Sequence, residues 1–433
     1  MSDDGGEDAE AFDIDQGEEG GGDDVYTETT HEDLGDRLQG ACCGICIGLL
    51  LFFGSFPLLF WNEGRAVDRY DALNEAETQT SSIDATSPLD PANEGKLLHF
   101  SVDVTNGGDA LVDPIFGIKS VNGSLVLRRD AEMYQWIETS SSSSKKDLGG
   151  GKTTTTTYTY QKEWRNRLVS SQNYKKLTNH RNPSSMEFES LQLNANPIMI
   201  GSYELPMRLE SKLTWGTPMT VTVDDIPDES LRNRTKQTTD GFYFGNSIDN
   251  SQIGDQKITF AQTPPSTITV VGVQSGNTLS AFVAENGEGG DVLLFRQGKY
   301  SAAEMYEEAE SQNAVLSWFI RFGGFLLMTS GLYLIFRPIE VFADIVPCVG
   351  DIVGCGLIFM SVVISAVLSS ITISIAWLVA HPMIGGIVLL VTLAVVGCCA
   401  FGVKKLQQMR NGDDDGDNAS RSAPETEKNV DDD

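Results

Sequence analysis

The feature that most constrains this chain is an apolar run of 21 residues without a charge, Ala41–Trp61. A run of this length is sufficient for one helix to cross a hydrocarbon core about 30 Å thick. About 40 mostly polar residues precede it, whereas a cleaved signal peptide begins with a short basic segment directly before its apolar run. We therefore predict a retained transmembrane helix over residues 40–61.

A second predicted span covers residues 314–336, and Arg321 interrupts it. At 1.5 Å per residue, Arg321 would lie about 10 Å from the start of the helix, so its side chain could reach back to the headgroups. An arginine inside a membrane is by default a functional candidate. For Arg321 we favour the structural interpretation, a side chain that extends to the interface.

The region 352–403 contains no Asp, Glu, Lys or Arg. It is too long for one span, and the stretch AHPMIGG (380–386) carries the proline and glycines of a tight turn. We predict two helices, 352–379 and 383–403, which brings the total to four spans. The fold class is thus a membrane protein of α+β type, with one N-terminal and three C-terminal helices around a large middle domain.

Four spans place both termini on the same side of the membrane. Lys404 and Lys405 follow the last span and favour a cytosolic tail, although Arg65 and Arg69 after the first span weigh against it. The region 62–313 would then be lumenal, and residues 337–351 would form a short cytosolic loop. Two sequons lie in the predicted lumenal region, NGS at Asn122 and NRT at Asn233, and are candidate glycosylation sites.

The middle region, 62–313, alternates apolar and polar residues over short stretches such as LLHFSVDVT (97–105) and STITVVGV (266–273). This period of two predicts a β-rich domain with antiparallel pairing. Residues 138–158, rich in Ser and Thr, are of low complexity and are predicted to form a mobile loop. Ser301 and Glu304 have the spacing of a capping box, so a helix should begin there and run towards the second span.

The charge of the chain, −30, is concentrated in acidic ends. Residues 1–39 and 404–433 are predicted to be disordered because they have few apolar side chains to bury. Such a charge disfavours a nucleic-acid partner, since phosphates would be repelled. We recognise no catalytic motif and expect neither an enzyme nor a metal or cofactor. His180 is expected in a turn and His99 on the exposed face of a strand.

Two groups of residues are candidate interaction sites. The stretch RRDAEMYQWIE (128–138) is predicted to be a strand whose arginines form ion pairs with nearby acids, and the alternative is a binding surface on Arg129, Tyr134 and Trp136. In the third span the small residues Ser361, Ser365 and Ser369 recur every four positions. Such a stripe favours close helix packing, and a solute path is the alternative.

Several blocks of the sequence occur in a familiar order over residues 40–403. They include FWNEGRAV after the first span, DPIFGI (113–118), RRDAEMYQWIE, YTYQKEWR (158–165), HRNPSSM (180–186), SAAEMYEEAE and WLVAHPMIGG. Their order, with one span before and three after the domain, resembles the LUMA (transmembrane protein 43) family. RRDAEMYQWIE and QKEWR are the most specific of them.

The resemblance implies a multi-pass protein of the endoplasmic reticulum and inner nuclear membrane, with both termini cytosolic or nucleoplasmic. It implies a scaffold that organises the nuclear envelope, self-associates and contacts membrane lipids and emerin-like or lamin-like proteins. No catalytic or cofactor residue is implied. Two alternatives stay open, a lipid-handling protein of the lumenal leaflet linked to lipid metabolism and an oligomeric channel or transporter component.

Overall fold

A computed structural model describes residues 24–285 and 287–380, and positions 382–383, 385–387, 389–391, 393–394, 397 and 401. The chain divides into two compact units. The first, here called the sheet unit, takes its residues from Met1–Ala41, Asp68–Val315 and Ile339–Val353. The second, the helical unit, takes its residues from Cys42–Val67, Leu316–Pro338 and Gly354–Asp433.

The helices that matter for the membrane are long. They are α1 (Leu34–Gln79), α4 (Ala302–Ala343) and α5 (Pro347–Ala380), and the short α2 (Met207–Glu210) and α3 (Glu229–Arg234) lie between them in sequence. Within the described residues, three helices are long and apolar enough to cross a membrane. The predicted first span is thus part of a longer helix, because residues 62–79 continue α1 without a break. Ten of the 21 residues of the fourth predicted span, 383–403, and the whole tail, 404–433, lie outside the described residues.

The middle of the chain supplies the strands, and the predicted α+β class is confirmed. In chain order they are β1 (Val25–Glu32), β2 (Ser81–Ser82), β3 (Leu97–Asn106), β4 (Val126–Lys146), β5 (Lys152–Arg165), β6 (Leu191–Asn194), β7 (Ile198–Ile200), β8 (Tyr203–Glu204), β9 (Thr217–Pro218), β10 (Lys236–Gln237), β11 (Gly241–Phe244), β12 (Gln256–Thr263), β13 (Thr267–Ser275), β14 (Thr278–Ser280) and β15 (Leu294–Gln297).

The strands form two sheets that are mostly antiparallel. The first has the order β1-β5-β4-β12-β11-β10, with β6 on β4 and β9 on β12. The second has the order β15-β13-β14-β8-β7-β3-β2, and β13 also pairs with β3. Alternate residues of these strands point into apolar clusters, as their period of two predicts.

The sheet unit contains three apolar clusters of buried side chains. One surrounds Phe100 and Tyr203, which stack at 5.2 Å, and another surrounds Phe116. The third joins the end of α1 to the start of α4, where Leu73 of α1 and Tyr306 of α4 are both buried. The predicted capping box is present at the start of α4, where the Ser301 hydroxyl accepts from the backbone N–H of Glu304.

The predicted mobile loop at 138–158 is wrong, because these residues form the ends of β4 and β5. Threonine favours strands, and hydroxyl pairs such as Ser142 with Thr156, at 2.8 Å, link the two strands. Gly149 and Gly150 turn the chain with φ of +93° and +89°. Low complexity here reflects a repeated strand residue and not a lack of structure.

The predicted disorder of residues 1–39 is also wrong for the part that the structure describes. Strand β1 pairs with β5 from Val25, opposite Thr159, to Glu32, opposite Lys152. Together β1, residues 138–146 of β4 and residues 152–160 of β5 form a three-stranded extension, here called the polar arm. From 138 to 146 it is about 27 Å long at the usual rise per residue of a strand.

In the helical unit, α1 and α4 approach each other at glycines. A Cβ atom on Gly48 would lie 2.8 Å from the carbonyl oxygen of Gly331, and one on Gly331 would lie 2.6 Å from the backbone nitrogen of Phe52. These contacts are with backbone atoms that cannot rotate away. Small residues therefore set the distance between these two helices, as is common in membranes.

Candidate functional site

The structure separates the three residues of the predicted interaction surface. Arg129 is buried with its neighbours Ala131 and Met133, whereas Tyr134 and Trp136 lie on the opposite face of β4. A strand sends successive side chains to opposite faces, so the three cannot form one surface. The structure thus corrects the inclusion of Arg129.

Arg129 instead forms the ion pair that the strand interpretation predicted. Its Nη1 donates to both carboxylate oxygens of Asp113 at 2.8 Å, and its Nε donates to the carbonyl oxygen of Glu189 at 2.9 Å. Asp113 also accepts from the backbone N–H groups of Ile115 and Phe116. Every charge in this pair has partners inside the core, which explains how it is accommodated there.

The aromatic face of β4 carries a small cluster around His180. The His180 ring stacks on Tyr160 at 4.0 Å and contacts the edge of Trp136, and it is fully buried. Its Nδ1 lies 2.8 Å from the carbonyl oxygen of Lys176. His180 ends the turn that the sequence predicted, with its backbone N–H donating to the carbonyl oxygen of Leu177, but its side chain is buried. His99 is also buried, between the Ser82 hydroxyl and a backbone carbonyl, so its predicted exposure was wrong.

The predicted roles of the remaining residues, the two sequons and the three serines of the third span, stay predictions. Asn122 and Asn233 are both exposed, as glycosylation requires, and whether either carries a glycan stays a prediction. Ser361 and Ser365 are fully buried and Ser369 nearly so, as helix packing requires. Within the described part of the chain, the hydroxyls of Ser361 and Ser365 have no hydrogen-bond partner.

The most unusual arrangement lies in the helical unit, around Glu63. This carboxylate is fully buried, and the Arg321 guanidinium holds it with two parallel bonds, Nε to Oε1 at 2.8 Å and Nη2 to Oε2 at 2.6 Å. Trp377 donates its indole N–H to Oε2 at 2.8 Å, and Asn62 donates to Oε1 at 3.2 Å. Arg321 therefore has an ionic partner within the protein, and the prediction that its side chain lies at the level of the headgroups stays a prediction.

A cavity of about 540 Å³ lies beside this pair, between α4 and α5. Arg321 and Trp377 line it together with aromatic side chains of α4 and serines of α5. The guanidinium lies over the Trp318 ring, 4.9 Å from its centre. The cavity is open along one side, and its mostly apolar lining with few polar groups is a composition shared with ligand sites. Sequence reasoning missed Glu63, although an acid directly after an apolar run was a signal that Arg321 has an internal partner.

A second charge cluster lies at the tip of the polar arm, within the sheet unit. Lys146 contacts Asp344 at 2.7 Å, Asp351 at 2.9 Å and Glu340 at 3.4 Å, while Arg37 contacts Asp344 at 2.5 Å. Burial lowers the pKa of Lys146, but the surrounding carboxylates outweigh it and the net shift is upwards. The cluster joins the arm to the segment between α4 and α5.

These contacts contradict part of the predicted topology. Lys146 belongs to the region 62–313, assigned to the lumen, and Asp344 to the loop 337–351, assigned to the cytosol. Groups that form an ion pair lie on the same side of a membrane, and a polar hairpin with open edges cannot lie in lipid. Lys146 therefore cannot form these ion pairs if region 62–313 and loop 337–351 lie on opposite sides of the membrane.

Comparison with known proteins agrees with the membrane-protein character of the chain. A model of the Transmembrane protein 43 family matches residues 133–382. The chain is 30% identical to Transmembrane protein 43 of Rattus norvegicus over 376 residues, which cover 84% of this chain and 90% of that protein.

Two further relatives give the same picture. Transmembrane protein 43 of Homo sapiens is 29% identical over 80% of this chain and 87% of its own length, and the Drosophila melanogaster homolog is 30% identical over 79% and 90%. No solved structure matches the chain. Because the family model covers more than half of the chain and the relatives most of it, this chain belongs to the Transmembrane protein 43 family.

Proposed function

We propose that this chain is a non-catalytic, multi-pass scaffold of the endoplasmic reticulum and inner nuclear membrane. It would organise the nuclear envelope through self-association and through contacts with membrane lipids and with emerin-like or lamin-like proteins. Membership of the family and three apolar helices support the membrane part of this proposal.

The observation that carries the scaffold proposal is the apolar cluster at the entry and exit of the sheet unit. Ala72 and Leu73, near the end of α1, pack in the same cluster as Met305 and Tyr306, at the start of α4. The Tyr306 hydroxyl also lies 2.7 Å from that of Thr80, beyond the end of α1. The two segments that enter and leave the domain are thus held side by side, as a platform that presents one fixed surface requires.

An exposed sheet edge gives this platform a place for a partner. Strand β1 is the end of the first sheet, and most of its residues beyond Glu28 are exposed. An edge strand offers unpaired backbone groups to which a segment of another chain can add. The same edge would serve self-association or an envelope partner.

Crosslinking in native membranes tests the scaffold. A tagged full-length chain, treated with a short membrane-permeant crosslinker, should give a ladder of homo-oligomers and a stable set of neighbours. Imaging of the same fusion should give a rim around the nucleus that is continuous with the endoplasmic reticulum. A chain that stays monomeric and without reproducible neighbours would count against the proposal.

A second candidate function is lipid handling, and the cavity beside Arg321 favours it. The sheet unit contains three packed apolar clusters, and its pocket of about 510 Å³ near Arg181 and Asn182 is lined mostly by polar residues. A ligand site for lipid is better supported in the helical unit. The hypothesis of an oligomeric channel stays a prediction, and it requires a continuous hydrophilic path.

A further inference from the structure

The cavity between α4 and α5 combines three kinds of surface in one space. Arg321 supplies a cation, Ser370 of α5 supplies a hydroxyl, and Phe322, Phe325 and Ile373 supply apolar walls. At about 540 Å³ the cavity can hold a small polar group and part of an alkyl chain. A ligand that matches all three surfaces has a polar head and an apolar tail.

The arginine retains one donor group for such a head. Its Nε and Nη2 donate to Glu63, whereas Nη1 has no acceptor within hydrogen-bond distance among the described residues. The side chain is 18% exposed and lines the cavity. A guanidinium donor at the edge of a membrane matches a phosphate oxygen.

The Ser370 hydroxyl favours some phospholipid headgroups over others. The Ser370 hydroxyl donates its own proton to the carbonyl oxygen of Ala366 at 2.7 Å, which leaves its oxygen as an acceptor. An acceptor in the same cavity as the arginine favours a headgroup that carries N–H or O–H donors. Ethanolamine has such donors, whereas the quaternary ammonium of choline has none.

We propose that this cavity binds one glycerophospholipid of the ethanolamine type. Its phosphate accepts a hydrogen bond from Arg321 Nη1, its ammonium donates to Ser370, and an acyl chain lies against Phe322, Phe325 and Ile373. The buried Glu63 holds the guanidinium in place and so acts as a positioning residue. The inference rests on the second candidate function, and scaffolding does not depend on it.

The test uses the full-length chain in phosphatidylcholine nanodiscs that contain a trace of phosphatidylethanolamine with a photoreactive acyl chain. After illumination, labelled peptides from the cavity walls of α4 and α5 should appear. An excess of unlabelled phosphatidylethanolamine should reduce the labelling at least about tenfold, since a single site has one occupant. Phosphatidylcholine at the same excess should not.

Variants distinguish a loss of lipid binding from a loss of folding. Ile373→Trp fills the cavity and should abolish labelling, whereas Val363→Trp adds the same bulk at an exposed position of α5 and should leave it unchanged. Glu63→Gln keeps the arginine but removes the carboxylate that positions the guanidinium, so labelling should weaken. Glu63→Gln combined with Arg321→Gln leaves no buried charge and should lose labelling.

Three results would overturn the proposal. One is equal competition by phosphatidylcholine and phosphatidylethanolamine, and another is normal labelling of Ile373→Trp. The third is competition by soluble glycerophosphoethanolamine as strong as by the lipid, which would identify a water-soluble phosphate ligand. Thermal unfolding of each variant verifies its fold, and unchanged oligomer crosslinking in a variant without labelling would separate this site from scaffolding.

Discussion

Arg129 in the sheet unit and Arg321 in the helical unit each hold one buried carboxylate with two hydrogen bonds, but their surroundings differ. The Arg129–Asp113 pair is 5% and 1% exposed, and the guanidinium has a third acceptor in the core. In the pair with Glu63, Arg321 is 18% exposed and borders a cavity.

The difference shows how the same chemistry can serve two purposes. In the sheet unit the pair is enclosed by Phe116 and backbone groups, so it holds a loop to a strand. In the helical unit one face of the guanidinium is left open. A buried ion pair alone is weak support for a functional site, and the open cavity is what makes Arg321 a candidate.

The largest expected effect is that of Arg129→Ala. It leaves Asp113 buried without its cation, and breaking such a pair costs about 3–5 kcal/mol in the free energy of unfolding. We expect a sheet unit that is degraded by protease under conditions in which the parent chain resists. Arg128→Ala, one residue away on the less buried face, is the matched control and should change the unfolding free energy little. Equal resistance of the two variants would show that the enclosed pair contributes nothing.

A smaller effect is expected for Arg321→Ala. It also leaves a buried carboxylate without its cation, but this pair borders an open cavity and is less enclosed than the Arg129 pair, so we expect a loss of about 2–3 kcal/mol. Thermal unfolding in detergent measures it. Adding Glu63→Gln to this variant should recover most of the loss, because no charge is then buried. If Arg321→Ala proves as costly as Arg129→Ala, the contrast between a closed and an open pair fails.

Gly331→Ala tests how much the close packing of α1 against α4 contributes to the stability of the helical unit. A methyl group there would collide with the backbone of α1, so the helices must separate, at a cost of about 1–2 kcal/mol. Gly323→Ala is the control on the same helix, because its Cβ would meet nothing within 4 Å. A lower unfolding temperature for Gly331→Ala alone would show that the contact between Gly331 and the backbone of α1 stabilises the helical unit. Equal temperatures would mean that the helices are free to separate.

Tyr306 is a buried group of the sheet unit that needs no ion pair near pH 7, since its neutral form is the stable one. Burial raises its pKa to about 12, above the usual value of about 10, so the folded state favours the protonated phenol. The stability that this provides is present below pH 10 and is lost as the pH rises towards 12.

Tyr306→Phe should therefore lower stability near pH 8, by about 1 kcal/mol for the lost hydrogen bond to Thr80, and flatten its decline above pH 10. Unfolding midpoints between pH 8 and 11 measure both effects. Tyr70→Phe, at an exposed position of α1, is the control. An unchanged alkaline slope in Tyr306→Phe would remove Tyr306 as the group responsible.

Local signals in the sequence predicted local structure well. The apolar run predicted the membrane helix, the period of two predicted the strands, and Ser301 with Glu304 predicted the start of α4. Partners far apart in sequence were not predictable in this way. Glu63 and Arg321 are separated by 258 residues, and neither residue alone indicates which of many charges it meets.

The polar arm was missed for a different reason. Its threonines favour strands individually, but the repetition was interpreted as low complexity, and the pairing with β1 gives no signal in a single sequence. The same limit applies to His180, whose aromatic neighbours Trp136 and Tyr160 lie on two strands that only the register brings together.

The contact between Arg37 and Asp344 sets an order of events during synthesis. The two residues are 307 positions apart, so the partner of Arg37 leaves the ribosome roughly 15–60 s after Arg37 itself at 5–20 residues per second. Throughout that interval the start of α1 exists without Asp344, and the tip of the polar arm, at Lys146, joins it for the last 198 of those positions. The ion-pair cluster at Asp344 is therefore among the last parts of the sheet unit to form, and a nascent chain arrested before α4 should lack it.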